Sequence, residues 1–139
     1  MSTTAAVSIS EYLHTDYRPD VDYIDGQLEK RNVGEWDHSR LQALIERYLG
    51  ARETEWKILV VPEQRVQVAA TRFRVPDITV VRKRPASGVI TEPPLLCIEI
   101  LSPEDTHNRL RHRVEDYLRF GVPSVWVIDP RERRGWIWT

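Results

Sequence analysis

The segment Leu95-Leu96-Cys97-Ile98-Glu99-Ile100-Leu101 is apolar except for one carboxylate at its centre. A run of this kind marks a strand covered on both faces. An ionised carboxylate left unpaired in such a strand costs several kcal/mol, so Glu99 needs a cation or strong donors. A metal or catalytic role answers that need. A buried ion pair with one of the chain's many arginines answers it too, and both stay open at this point.

The rest of the chain alternates between helix and strand signals. Ser8 and Glu11 have capping-box spacing and predict a short helix through about Tyr17. Val21 to Glu29 reads as a strand pair around the turn Asp25-Gly26. Asp37 is expected to cap a helix on which His38, Leu41, Leu44, Ile45, Tyr48 and Leu49 recur at helical spacing up to Gly50. Ile58 to Val61, Arg65 to Ala69, Val75 to Val81 and Leu95 to Leu101 are rich in β-branched and aliphatic residues and predict strands. Thr106 to Phe120 predicts a second helix, striped by Leu110, Val114, Tyr117 and Leu118 and stopped by Gly121. Val125 to Ile128 and Trp136 to Trp138 follow as strands. The expected fold class is α/β, a mixed central β-sheet flanked by helices.

The 139 residues suit one domain over residues 1–139. A hydrophobic fraction of 41% with 29% charged residues excludes a chain disordered throughout. No apolar run approaches the roughly 20 residues a bilayer needs, and residues 1–8 lack the basic flank of a secretion signal. The single cysteine, Cys97, excludes an internal disulfide, fits a reducing cytoplasm and reads as a buried small hydrophobe. The net charge of −1 argues against binding nucleic acid through bulk charge. Residues 1–71 are net acidic and residues 72–139 net basic, which permits a basic face beside an acidic site.

Asp77 is the second unusual acid. In Arg74-Val75-Pro76-Asp77-Ile78-Thr79-Val80-Val81 it follows a proline and precedes an apolar strand. Pro76 lacks an amide donor and marks an edge, bulge or strand start. Carboxylates on two neighbouring strands supply the hard oxygen ligands that Mg²⁺ prefers.

Three segments taken together resemble the Uma-two family, a bacterial group of predicted endonucleases within the PD-(D/E)xK nuclease superfamily. They are Pro76-Asp77, then Glu99 within Ile98 to Pro103, then the stretch from Tyr117 through Gly121-Val122-Pro123 to Asp129-Pro130. The likeness takes in Asp25-Gly26 and the His38 helix, so it covers roughly residues 20 to 130. It implies a restriction-endonuclease-like core, dependence on Mg²⁺ or Mn²⁺, and DNA as substrate. Three positions depart from the pattern. Leu101 stands where the superfamily has a lysine. Arg113 stands where the family tends to move that lysine. Asp22 stands where a glutamate is common, as a shorter carboxylate still able to bind metal. Members usually continue some tens of residues further, so the strand at Trp136 to Trp138 is expected to lack its partner or to find one in another chain.

The expected catalytic residues are therefore Asp77, Glu99 and Arg113, with Asp77, Glu99 and Asp22 as metal ligands. Arg113 lies on the inward side of its helix, where phosphate contact and a bridge to Glu99 are equal readings. It stays protonated and cannot act as a general base. Arg74, Arg82, Lys83 and Arg84 are candidate nucleic-acid contacts against a plainer reading as solvated charge. His38 reads first as a core or interface histidine, with substrate contact second. Glu63 reads as an exposed turn acid, His112 as solvated and Asp105 as a helix cap. Trp126, Trp136 and Trp138 read as packing residues, the last two also as a homodimer contact. The expected mechanism is attack of a metal-bound water on a phosphodiester. The alternative is a non-catalytic binding module that keeps the nuclease fold.

Overall fold

A computed structural model describes residues 5–31 and 34–139. Helix α1 (Ile9–Leu13) is capped by Ser8, whose hydroxyl accepts the Glu11 amide at 3.0 Å. It ends at Leu13 instead of reaching Tyr17. Just past that end, the His14 ring and the Thr15 hydroxyl turn back onto the Ser10 and Glu11 carbonyls, local bonds that compete with helix continuation. Strands β1 (Val21–Ile24) and β2 (Gln27–Lys30) form the expected hairpin. Asp25 and Gly26 both take positive φ there, 49° and 91°, as a two-residue turn of this twist requires. Helix α2 spans Trp36–Gly50. Its cap position is Glu35, so Asp37 lies inside the first turn, where its charge still complements the helix dipole. The short α3 (Glu53–Trp56) follows.

The strand-rich middle divides between two sheets. Strands β4 (Val66–Ala69) and β5 (Arg72–Arg74) join the hairpin in the order β2-β1-β5-β4. Strands β3 (Leu59–Pro62), β6 (Ile78–Val81), β7 (Leu96–Ile100), β8 (Ser124–Asp129) and β9 (Arg134–Trp138) form a five-stranded sheet in the order β3-β6-β7-β8-β9. Within the second sheet β7 and β8 run parallel, connected through helix α4 (His107–Phe120), and the other neighbours are antiparallel. The expected mixed, helix-flanked sheet is therefore present, with an antiparallel sheet beside it.

The strand expected over Val75 to Val81 begins only at Ile78. β5 ends at Arg74 in one sheet and β6 begins at Ile78 in the other, so Val75-Pro76-Asp77 crosses between them. Pro76 has no amide to lend a ladder, which makes this the natural place to leave a sheet.

Two apolar layers cover the five-stranded sheet. Leu41, Ile45 and Leu49 of α2 pack on Ile78, Val80, Ile98 and Ile100. Val114 and Tyr117 of α4 pack on Cys97, Val125 and Val127. Side chains alternate along a strand, so Glu99 shares the α4 face with the buried Cys97. Tyr12, Val21, Tyr23 and Phe73 build a third cluster between α1 and the antiparallel sheet. Trp126 packs against the α2-side cluster as expected. Trp136 and Trp138 remain 41% and 47% exposed, because they stand on the edge strand, beyond the β8 residues that α4 covers.

Candidate active site

Asp77 sits one residue before β6. The β6–β7 register pairs Ile78 with Ile98, so continuing it by one residue sets Asp77 opposite Glu99. Both acids are buried, at 3% and 2% exposure. Asp77 Oδ2 accepts the Ile100 amide at 2.7 Å. Its Oδ1 accepts from Arg31 Nη2 at 2.8 Å and lies 3.1 Å from His38 Nε2. Glu99 Oε1 accepts the Tyr117 hydroxyl at 2.6 Å, and its Oε2 lies 3.5 Å from Arg113 Nη1. Arg113 and Tyr117 are one helical turn apart on α4, which is why one helix supplies both partners.

These contacts separate the titration of the two carboxyls. Burial pushes Glu99 up to about 7; the Arg113 charge pulls it back, and the Asp77 charge pushes it up again. Burial also opposes ionisation of Asp77, but its bond to His38 and the charges of His38 and Arg31 hold it below the ordinary carboxylate value. Burial works against the charged form of His38, but the bond to Asp77 together with the charges of Asp77 and Glu99 raises its pKa. The Nδ1 atom of His38 is buried without a partner. A cavity of about 10 Å³ opens where Arg31, His38, Asp77, Asp105 and Arg113 meet. That is about the space of one water or one small ion.

Asp22 lies behind this centre on β1, fully buried. Its Oδ1 accepts the Val75 amide at 2.9 Å; its Oδ2 is 3.1 Å from Arg74 Nη1 and 3.5 Å from Arg113 Nε. Arg74 also donates Nε to Asp116 at 2.8 Å.

Residues 9–139 match the profile of the Uma2 (Uma-two) family, which is described as "putative restriction endonuclease". The chain belongs to the Uma2 family. Its fold is also that of a crystal structure from Anabaena variabilis described as a "putative nuclease", with a TM-score of 0.83 at 22% identity over 95% of this chain and 79% of that one. No curated protein gives a significant match. Family and fold together are those of restriction-endonuclease-like nucleases.

In this Uma2 protein the expected Asp77, Glu99 and Arg113 come together, and Arg113 bridges toward Glu99. Asp22 is near but spoken for: its oxygens hold Arg74 and the Val75 amide. Arg74 departs from its expected part as a nucleic-acid contact. It is 2% exposed and ties Asp22 to Asp116, so no phosphate can reach it. Arg82, Lys83 and Arg84 are exposed, at the far end of β6 and roughly 15 Å of strand from Asp77. Asp105 is not the cap of α4. Thr106 is, its hydroxyl accepting the Arg109 amide, while Asp105 Oδ2 accepts the Ser102 amide at 2.8 Å. His112 is exposed as expected.

Three contributors went beyond the sequence signals. His38 lies at the apolar side of α2 but presses its ring on Asp77. Glu63, half-exposed, grips Arg31 Nη1 at 3.0 Å. Arg31 itself, after the lysine that ends β2, has the sequence look of a solvated basic pair; no periodicity distinguishes it. Among the described residues no group of three His, Cys, Asp or Glu side chains converges closely enough to hold a metal ion by itself, and no helix is long and apolar enough to cross a membrane.

Proposed function

We propose that this Uma2 protein is a divalent-metal-dependent endonuclease hydrolysing phosphodiester bonds of DNA, with Asp77 and Glu99 as the metal-holding pair. The observation that carries this reading is the facing of two buried carboxylates in the extended β6–β7 register, with Asp77 lining a one-water cavity. A small hard cation fits that donor set. Mg²⁺ commonly takes one or two carboxylates and completes its shell with water and substrate phosphate, so a third protein acid is not required.

Mg²⁺ or Mn²⁺ held there would supply a Lewis acid for a phosphoryl oxygen and a water of lowered pKa. The chain's own residues do the rest. The Ile100 amide and the Tyr117 hydroxyl orient one oxygen of each carboxylate, while the other oxygens face Arg31 and His38 at Asp77 and Arg113 at Glu99. Arg113 lines the cavity and stabilises negative charge developing on the phosphoryl group. It keeps its proton, so the proton of the attacking water leaves to a phosphate oxygen or to solvent. Arg82, Lys83 and Arg84 meet the substrate backbone several nucleotides away from the scissile bond.

One observation favours a non-catalytic nuclease-fold module instead: each carboxylate already has a guanidinium beside it, Arg31 for Asp77 and Arg113 for Glu99. Plasmid nicking separates the two. The enzyme reading expects supercoiled DNA to be nicked with Mg²⁺ or Mn²⁺. Asp77→Ala and Glu99→Ala should each lower the rate about 100-fold or more, beyond the typical loss from a merely supporting partner. Intact plasmid with both metals, or unchanged nicking by folded Asp77→Ala, would sink it.

A further inference from the structure

We propose that Arg31 is a resident counter-ion that occupies the cation position on Asp77 and must leave it before a divalent metal binds. This rests on the metal reading above. The Arg31 side chain is 7% exposed and spans two acids, with Nη2 2.8 Å from Asp77 Oδ1 and Nη1 3.0 Å from Glu63 Oε1. Asp77 Oδ2 is taken by the Ile100 amide. Oδ1 is therefore the oxygen left for a metal, and it is the one that Arg31 holds, with the His38 ring 3.1 Å away on the same atom. A guanidinium and a dication cannot share that oxygen, because their repulsion at contact distance far exceeds thermal energy.

The anatomy suits a side chain that moves while its backbone stays. Arg109, in the first turn of α4, donates to the carbonyl of Lys30 and fixes the end of β2. Glu63, on the outer end of the guanidinium, is 53% exposed, so Arg31 has an exit toward solvent along its own partner. Arg31 pairs with Asp77 in the metal-free protein, and the apparent metal affinity is the intrinsic affinity reduced to the fraction of molecules with Arg31 displaced.

Calorimetric titration of Mn²⁺ into the whole chain tests this without reference to activity. Arg31→Ala should bind Mn²⁺ about tenfold or more tightly than wild type, since no counter-ion has to leave. Arg31→Lys keeps the charge but cannot bridge both acids, and should fall between. Glu63→Gln removes only the outer anchor and should tighten binding roughly two- to fivefold. Should Arg31→Ala fail to fold, Glu63→Gln and Arg31→Lys carry the test. Equal or weaker Mn²⁺ affinity in the folded variants overturns the counter-ion role while leaving the metal site standing. Absence of binding in wild type and variants alike, even in the millimolar range, overturns the metal reading and this inference with it.

Discussion

Glu99 and Asp77 are chemically similar groups, opposite each other across two strands, that titrate far apart because their partners differ. Asp77 is bonded by a backbone amide and two cationic side chains. Glu99 has a phenol and one guanidinium at 3.5 Å against deeper burial. Burial therefore wins at Glu99, whose pKa rises from an ordinary 4.5 to about 7. Across that window the folded chain holds a proton that the unfolded chain has released. The stability this contributes is fully present below pH 4.5 and is lost as pH rises through 7. His38, raised from 6.5 against its burial by the bond to Asp77 and the Asp77 and Glu99 charges, loses its contribution in the same direction at higher pH. The lowered Asp77 acts oppositely and loses its contribution only as pH falls below the ordinary carboxylate range. In metal-free buffer, the melting temperature of wild type should therefore fall between pH 5 and 8. Glu99→Gln keeps an acceptor for Tyr117 but has no proton to lose, so its melting temperature should fall less over the same range. Parallel melting curves for the two proteins would contradict the assignment.

Helix α4 is the element on which the site depends, since it presents Arg113 and Tyr117 to Glu99 and Asp116 to Arg74. Its length is set at both ends by local chemistry. Thr106 caps the start, and Gly121 ends the helix with φ at 109°, its amide bonding the Leu118 carbonyl. A Cβ at position 121 would stand 3.3 Å from the ring of Pro93, in a backbone conformation that L side chains rarely adopt. Gly121→Ala should cost about 1–2 kcal/mol in urea unfolding. Mn²⁺ affinity of the folded fraction should stay unchanged, because Arg113 and Tyr117 lie more than one turn upstream. A loss below about 0.4 kcal/mol would mean that the turn relaxes to accept the side chain.

At the scale of the molecule, the two sheets are joined through charge as well as through apolar contact. Arg74 leaves β5 of the antiparallel sheet and meets Asp22 of β1 and Asp116 of α4, the helix that covers the mixed sheet. Arg72 adds a second, part-exposed link to Asp116 at 2.9 Å. Removing one partner from a buried network leaves the others desolvated and uncompensated, which typically costs about 3–5 kcal/mol. Against a total stability of about 5–15 kcal/mol for a domain, Arg74→Ala should bring this chain near its folding limit. Equilibrium urea unfolding checks this. A change under about 1 kcal/mol would show that the apolar layers alone hold the sheets together.

What the sequence determined by itself was local. An apolar run with one acid announced Glu99, a proline before an apolar strand announced Asp77, and helical spacing closed by glycine announced α4. These signals survive because strand and helix periodicity are properties of neighbouring residues. The partners of those acids were decided only by the tertiary structure. Arg31 lies 46 residues from Asp77, and Arg74 lies 52 from Asp22 and 42 from Asp116. In a sequence a buried guanidinium is indistinguishable from a solvated one, since its burial follows from how distant strands and helices converge. Composition therefore located the two carboxylates, and packing decided which cation each one meets.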